Sequence, residues 1–447
     1  MLSFFKIIGQ KNSIAALDGV RAVACFTVIF YHINLLTIDK HVRIWTPDML
    51  GPIAAFVAFA GWCGVTLFFV LSGFLLFMPY ARALLFNTEW PDWKRYYVRR
   101  IFRIWPGYFV SLGLMLIWLR PDYFQPQHWF DLLLFLTFFM DSTPQTYQAV
   151  NGPFWTLAVE WQFYLILPLL ALLFCYLVRR CSLQRRLWIL TLCIVAVALW
   201  GLLTRSWGRS WMVNPHQPLF LPQLLHNIAF FFFYGQNGKC LEDFAVGMFI
   251  SVCYVLSREK DCAHGIVVFL RRYSDWFWGV GILWLFVMGI WSTLQPIRDL
   301  LQPWIGEHAV FSDFGFALGY GCCIIAVLFG PAYFRRPLEW GPLRGLGQLT
   351  YGIYIWHLPL LLWFMPTMAT LARGWPGIFA YSLYWGCLCC IILPFCYLFY
   401  LFIERPGINI GVQLLKLGAR QRPVEISVSS QKEVVKEQGL PYHMQEK

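Results

Sequence analysis

The sequence predicts an all-α integral membrane protein of about ten transmembrane helices, with one or two interfacial or re-entrant helices and no soluble domain. Three observations carry this. Of 447 residues, 59% are hydrophobic and 13% charged, roughly half the charged share of a soluble domain. The apolar residues come in blocks of about 20 with at most one or two charges, the length that a bilayer core demands. The basic residues concentrate in alternate connecting segments, the pattern that holds the cytoplasmic side of a membrane protein. A soluble enzyme, a nucleic-acid-binding protein, a disordered chain and a small disulfide scaffold do not fit this pattern. The net charge of +12 is therefore read as topology, with the lipid bilayer as partner and no nucleic acid.

The uninterrupted apolar runs place spans over 14–36, 52–78, 101–119, 154–178, 187–203, 241–257, 276–292, 312–331, 346–366 and 377–402. The first contains Asp18 and Arg21 and lacks a small-residue cleavage site, so it reads as a span and not as a removable leader. Two further runs are ambiguous. Residues 129–140 are too short to cross, and 219–234 are interrupted by Pro222 and His226. Keeping both on the outer face as interfacial or re-entrant helices leaves 26 of the 35 Lys and Arg residues on the N-terminal side and 8 on the other, Arg21 lying within a span. Such a backbone is tolerated only where protein or water covers it. The expected organisation is a cytoplasmic N-terminus over 1–13, a membrane domain over 14–406, and a cytoplasmic tail over 407–447 too poor in apolar residues to fold alone. The expected site is a bacterial cell (inner) membrane. Most of the 14 cysteines sit inside apolar blocks, among them Cys322, Cys323, Cys387, Cys389 and Cys390, and none pairs with His at zinc-like spacing. They read as packing residues, with no metal site.

Ionisable residues inside such blocks are costly, about 2.5–3.5 kcal/mol each at the bilayer centre, and call for a reason. In LDGVRAVACFTVIFYH, Arg21 and His32 are 11 residues apart, which places them on one helix face about 16 Å apart along the axis. Asp18, at i−3, can neutralise Arg21. His32 then has two readings, a neutral core imidazole or a proton acceptor. In GPFWTLAVEWQFYLILPLL, Glu160 reaches a similar depth from the opposite direction and could orient that imidazole; a structural Glu160, bonded to Trp155 or a tyrosine, is the other reading. The third span is entered through WKRYYVRRIFRIWPGY. There Arg100 and Arg103 are i,i+3 neighbours and Arg99 is i−4 from Arg103, a row of guanidinium forks suited to phosphate oxygens or to topological anchoring. His357 in LTYGIYIWHLPLL, and Ser72-Gly73 in VTLFFVLSGFLLF, are supporting candidates with packing readings of their own. No G-x-S-x-G, Walker A or H-E-x-x-H signature is present.

These segments, with the closing IERP, stand in an order that resembles the acyltransferase type 3 family of integral-membrane O-acyltransferases, over roughly residues 14–406. The resemblance implies transfer of an acyl group, often acetyl, from cytoplasmic acyl-CoA to a hydroxyl of a glycan, lipid or small metabolite. It implies no bound cofactor, with acyl-CoA as co-substrate. The family's Arg/Lys-x10-His pattern falls on Arg21 and His32, its Arg-x-x-Arg on Arg100 and Arg103, and its glutamate on Glu160. Thr156 stands where serine is commoner and keeps a hydroxyl. Some members carry a fused extracytoplasmic esterase-like domain, which is not expected here. On this reading His32 is a general base or a transient acyl acceptor, Glu160 orients it, and the arginines hold the phosphates. A transporter or flippase with a buried ion path, or a non-catalytic acyl-donor-binding relative, remains the alternative.

Overall fold

A computed structural model describes residues 14–38, 60–214, 222–259 and 265–420. The expected N-terminal segment 1–13, the start of the second span at 52–59 and the tail beyond 420 lie outside the described residues. Among those described, every regular element is helical. The principal helices are α1 (Ala15–Ile38), α2 (Gly64–Phe86), α3 (Trp93–Trp118), α4 (Phe154–Val178), α5 (Leu183–Val213), α6 (Leu241–Arg258), α7 (Ser274–Thr293), α8 (His308–Phe329), α9 (Gly341–Leu371) and α10, which begins at Gly377–Cys387. The two ambiguous runs form short helices, Trp129–Thr137 and Gln223–Phe233. Large apolar side chains that a soluble protein would bury face outward. On α4, Leu169 is 66% and Tyr176 67% exposed; on α5, Leu192 and Leu203 are each 64% exposed. That outer surface is matched to hydrocarbon. The protein is an integral membrane protein.

Nine of the described helices are long and apolar enough to cross a bilayer, where ten spans were expected. The difference is α6, which carries Glu242, Asp243 and Arg258. Its 13 buried residues out of 18 explain the lapse, since a helix wrapped by its neighbours need not be apolar toward lipid. Packing direction nevertheless makes it a crossing. Helices α1 and α9 run parallel, because Asp18 lies against Gly347, Cys25 against the Thr350 carbonyl and His32 against His357. Parallel partners in a bilayer need an odd number of crossings between them, and among the described helices counting α6 with the other long ones makes that number odd.

Several boundaries move. Helix α3 starts at Trp93, eight residues before the apolar run, because Asp92 caps it by accepting from the Lys94 amide at 2.9 Å. The arginine row is thus helical from the outset. The chain expected to be an unstructured tail from 407 is instead helical to Arg420. Helix α10 reaches that point through two π-helical turns, Leu388–Ile392 and Tyr400–Glu404. Each ends two residues before a proline, Pro394 or Pro406, whose missing N–H leaves a carbonyl that the wider turn accommodates.

Close crossings rest on glycine. A Cβ at Gly73 would collide with the Phe244 carbonyl and one at Gly247 with the Val70 carbonyl, so α2 and α6 touch backbone to backbone. Arg186, counted among the topological cations of a short loop, is 6% exposed and acts as a bracket. Its guanidinium donates to the Cys181, Arg179, Leu84 and Leu85 carbonyls and to Asn87 Oδ1, tying together the ends of α2 and α4.

Candidate active site

Five helices enclose a cleft with an open volume, mouth included, of about 830 Å³. Arg21 comes from α1, Ser72 from α2, Arg100 and Arg103 from α3, Glu160 and Tyr164 from α4, and Tyr351 and Tyr354 from α9. Arg21 is held by Asp18 at 3.2 Å, the i,i+3 pair that spacing predicted. Among the described residues Arg100 and Arg103 form no ion pair. Arg100 lies over the Tyr164 ring at 5.6 Å, and its Nε is buried without a hydrogen-bond partner. Arg103 interacts electrostatically with the Asp18 and Glu404 carboxylates without a close ion pair, so both guanidinium groups keep free N–H donors in the cleft. Arg99 is not part of it. It is exposed on the outer side of α3, since successive helical residues diverge by about 100° and the cleft faces Arg100, Arg103 and Ile104.

Glu160 sits deeper in the same cleft. Its Oε1 accepts from the Ser72 and Tyr164 hydroxyls, each at 2.5 Å. Ser72 is therefore part of the site, while its neighbour Gly73 serves packing. Trp155 does not line the cleft; it packs edge-on against Phe69 at 6.4 Å.

The expected pairing of Glu160 with His32 does not form. Asn151 donates to the Ile355 carbonyl at 2.9 Å, which sets residue 151 level with the His32 and His357 rings. The start of α4 is thus sunk into the bundle, and Glu160, six residues into that helix from Phe154, lies a further ~9 Å along it, away from that level. The partner of His32 is His357. His357 Nε2 lies 3.2 Å from His32 Nδ1, with ring centroids 5.0 Å apart. Each Nδ1 also faces the carbonyl four residues earlier, Val28 for His32 and Ile353 for His357, both at 3.0 Å. A carbonyl can only accept, so both Nδ1 atoms carry the proton. His357 Nε2 is then a lone pair that shares the His32 Nδ1 proton, and the lone pair of His32 lies on Nε2. Among the described residues that Nε2 takes no partner. A half-buried imidazole with a fixed tautomer and a free basic nitrogen is equipped to remove a proton.

With this geometry in hand, comparison with known proteins is direct. A sequence profile described as an acyltransferase domain matches residues 14–401. The chain belongs to the acyltransferase type 3 family. It is similar to the peptidoglycan O-acetyltransferase OatA of Listeria monocytogenes, 26% identical over 383 residues, covering 80% of this chain and 51% of that protein. The putative peptidoglycan O-acetyltransferase YrhL of Bacillus subtilis is 25% identical over 366 residues, 78% of this chain and 49% of that protein. The putative acetyltransferase ORF330 of Acidianus two-tailed virus is 27% identical over 351 residues, 78% and 84% respectively. The chain thus spans about half the length of the two bacterial relatives. No solved structure matches.

Three residues of this acyltransferase-family chain were not singled out from its sequence. Tyr164 is the tyrosine that the structural reading of Glu160 allowed for without a number; it donates to Glu160 from four residues along α4, an i,i+4 spacing that was a readable signal. Tyr354 closes the inner end of the cleft. Glu404, from the IERP segment, is 4% exposed, and its Oε1 would lie 2.7 Å from a Cβ at position 352, so Gly352 makes room for it.

Proposed function

We propose that this chain is a membrane O-acyltransferase that transfers a short acyl group, acetyl above all, from cytoplasmic acyl-CoA to a glycan hydroxyl. The carrying observation is the cleft in which Arg100 and Arg103 make no close ion pair among the described residues, because a phosphate-bearing donor has oxygens for their free N–H groups. In this reading both termini face the cytoplasm of a bacterial cell membrane, so the arginine end of the cleft opens toward acyl-CoA. The names of the Listeria and Bacillus relatives support a carbohydrate acceptor and an acetyl donor.

The chemistry then runs along the α1–α9 pair. The phosphates rest on Arg100 and Arg103 while the pantetheine arm passes Arg21 and the Ser72–Glu160–Tyr164 cluster. The thioester reaches His32, about 16 Å deeper than Arg21. His32 Nε2 takes the proton of the acceptor hydroxyl as its oxygen attacks the thioester carbonyl. The C–S bond breaks, an ester C–O bond forms, and the imidazolium returns its proton to the leaving thiolate, so CoA departs as the thiol. His357 supports the imidazolium through the shared Nδ1 proton, and Glu160 holds the walls of the passage in place of contacting the ring.

The test is transfer of radiolabel from acetyl-CoA to a soluble glycan acceptor by the purified chain in lipid nanodiscs. Wild type is expected to form alkali-labile ester and His32→Ala to lose at least 100-fold in turnover, the lower range for a general base. Undiminished turnover by His32→Ala would refute the assignment.

A further inference from the structure

The cleft and the histidine pair are adjacent but not joined. Neither His32 nor His357 is among the cleft's walls, whose innermost residues include Val65, Thr156 and Tyr354. Tyr354 is what separates them. Its ring is 5.7 Å from Phe68 on the cleft side and 5.9 Å from His357 on the other. Its hydroxyl is bonded to that of Thr156 at 2.9 Å, and Thr156 is bonded in turn to the Pro153 carbonyl at 2.9 Å. The Asn151 bond to the Ile355 carbonyl fixes the same stretch of α4 against α9. A bulky ring, 8% exposed and pinned at its far end, therefore stands between the cleft and the histidine pair.

We propose that Tyr354 is a specificity-determining gate, which swings off Thr156 to admit a short acyl group and whose ring volume excludes longer ones. This rests on the acyl-CoA reading above. Val65 and Phe68 of α2 form the facing wall, and Tyr354 is the cleft residue whose ring also meets His357, so its rotation opens the passage without moving a helix. A two-carbon group needs little room beyond the rotated ring. Longer chains need space for each added methylene, and a close-packed interior holds none in reserve. Where space exists, each buried methylene instead favours binding by about four-fold.

The experiment compares kcat/KM for acetyl-, butyryl- and hexanoyl-CoA on the full chain in nanodiscs. In Tyr354→Ala the hexanoyl-to-acetyl ratio is expected to rise at least ten-fold, with about 200-fold as the ceiling for four methylenes. Tyr354→Phe and Thr156→Val release the ring without removing it, and are expected to raise the butyryl-to-acetyl ratio a few-fold. Those two variants decide the matter if Tyr354→Ala fails to fold. Unchanged ratios, with acetyl transfer retained, would overturn the gate and leave the acyl-CoA reading standing. Abolition of transfer from all three donors in folded Tyr354→Phe would also overturn it, since the hydroxyl would then belong to the chemistry. A wild type that transfers from none of the three would overturn the functional reading and the gate with it.

Discussion

The arginine cleft makes a quantitative demand on the donor. Arg100 and Arg103 are half-buried in the cleft and make no close ion pair among the described residues, so on the proposed reading each has N–H groups free for a phosphate. Hydrogen bonds to charged groups contribute about 1.5–3 kcal/mol net, and partial solvent access argues for the lower end. Replacing both arginines with alanine should thus cost about 3 kcal/mol of donor binding, a rise of ~150-fold in KM for acetyl-CoA where KM follows dissociation. Arg→Lys at both positions restores charge without the planar fork and should recover part of the loss. The assay is steady-state transfer in nanodiscs with two donors, acetyl-CoA and S-acetylpantetheine, which lacks the phosphates. The double variant should raise KM for the first and leave the second unchanged. An unchanged KM for acetyl-CoA, or an equal rise for both donors, would show that these guanidinium groups do not bind phosphate.

Three further outcomes test other parts of the molecule. His357→Phe removes the acceptor from His32 Nδ1 and should lower kcat by at least ten-fold with KM for acetyl-CoA unaltered, since His357 is outside the cleft; unchanged kcat in a steady-state assay would end its positioning role. Arg205→Met leaves Glu242, paired at 2.8 Å, and Asp313 without their cation, and should destabilise by about 3–5 kcal/mol, read as a lower melting temperature in detergent; Glu242→Gln with Asp313→Asn in the same chain should restore much of it. Gly73→Val drives a side chain into the Phe244 carbonyl and should abolish the folded, monodisperse protein on size-exclusion chromatography, whereas Gly113→Ala, which meets open space, should not.

Membrane character was legible because it is written in composition and block length, which need no knowledge of tertiary contacts. The spans at 154–178 and 276–292 fall within two residues of α4 and α7 for the same reason. What hydropathy misreads is a helix whose environment is protein. Helix α6 buries Glu242 and Asp243 in the bundle, where Arg205 of α5 pairs with Glu242, so its charges say nothing about lipid. Helix α3 likewise extends beyond its apolar run because a cap at Asp92, rather than hydrophobicity, decides where it starts.

The site was legible within each helix and hidden between helices. Spacing alone gives depth and azimuth along one helix, and it correctly grouped Asp18 with Arg21 and Arg100 with Arg103. Which residue meets which across an interface depends on register, and register here is set by small residues and loop anchors. Gly19 against the Leu338 carbonyl and Gly347 against the Asp18 carbonyl lock α1 beside α9, and that lock brings His32 to His357. Counting depth from the expected ends of two apolar runs assumed that both ends reach the same surface. The Asn151 bond to Ile355 breaks that assumption by pulling the start of α4 into the bundle, which moves Glu160 away from the imidazole and onto Ser72 and Tyr164. The consequence is chemical as well as geometric. A carboxylate against His32 would hold a full negative charge beside the imidazolium, whereas a second neutral imidazole offers only a lone pair. On the proposed mechanism, an imidazolium without a carboxylate beside it is the stronger acid, which favours return of the proton to the leaving thiolate and regeneration of the imidazole.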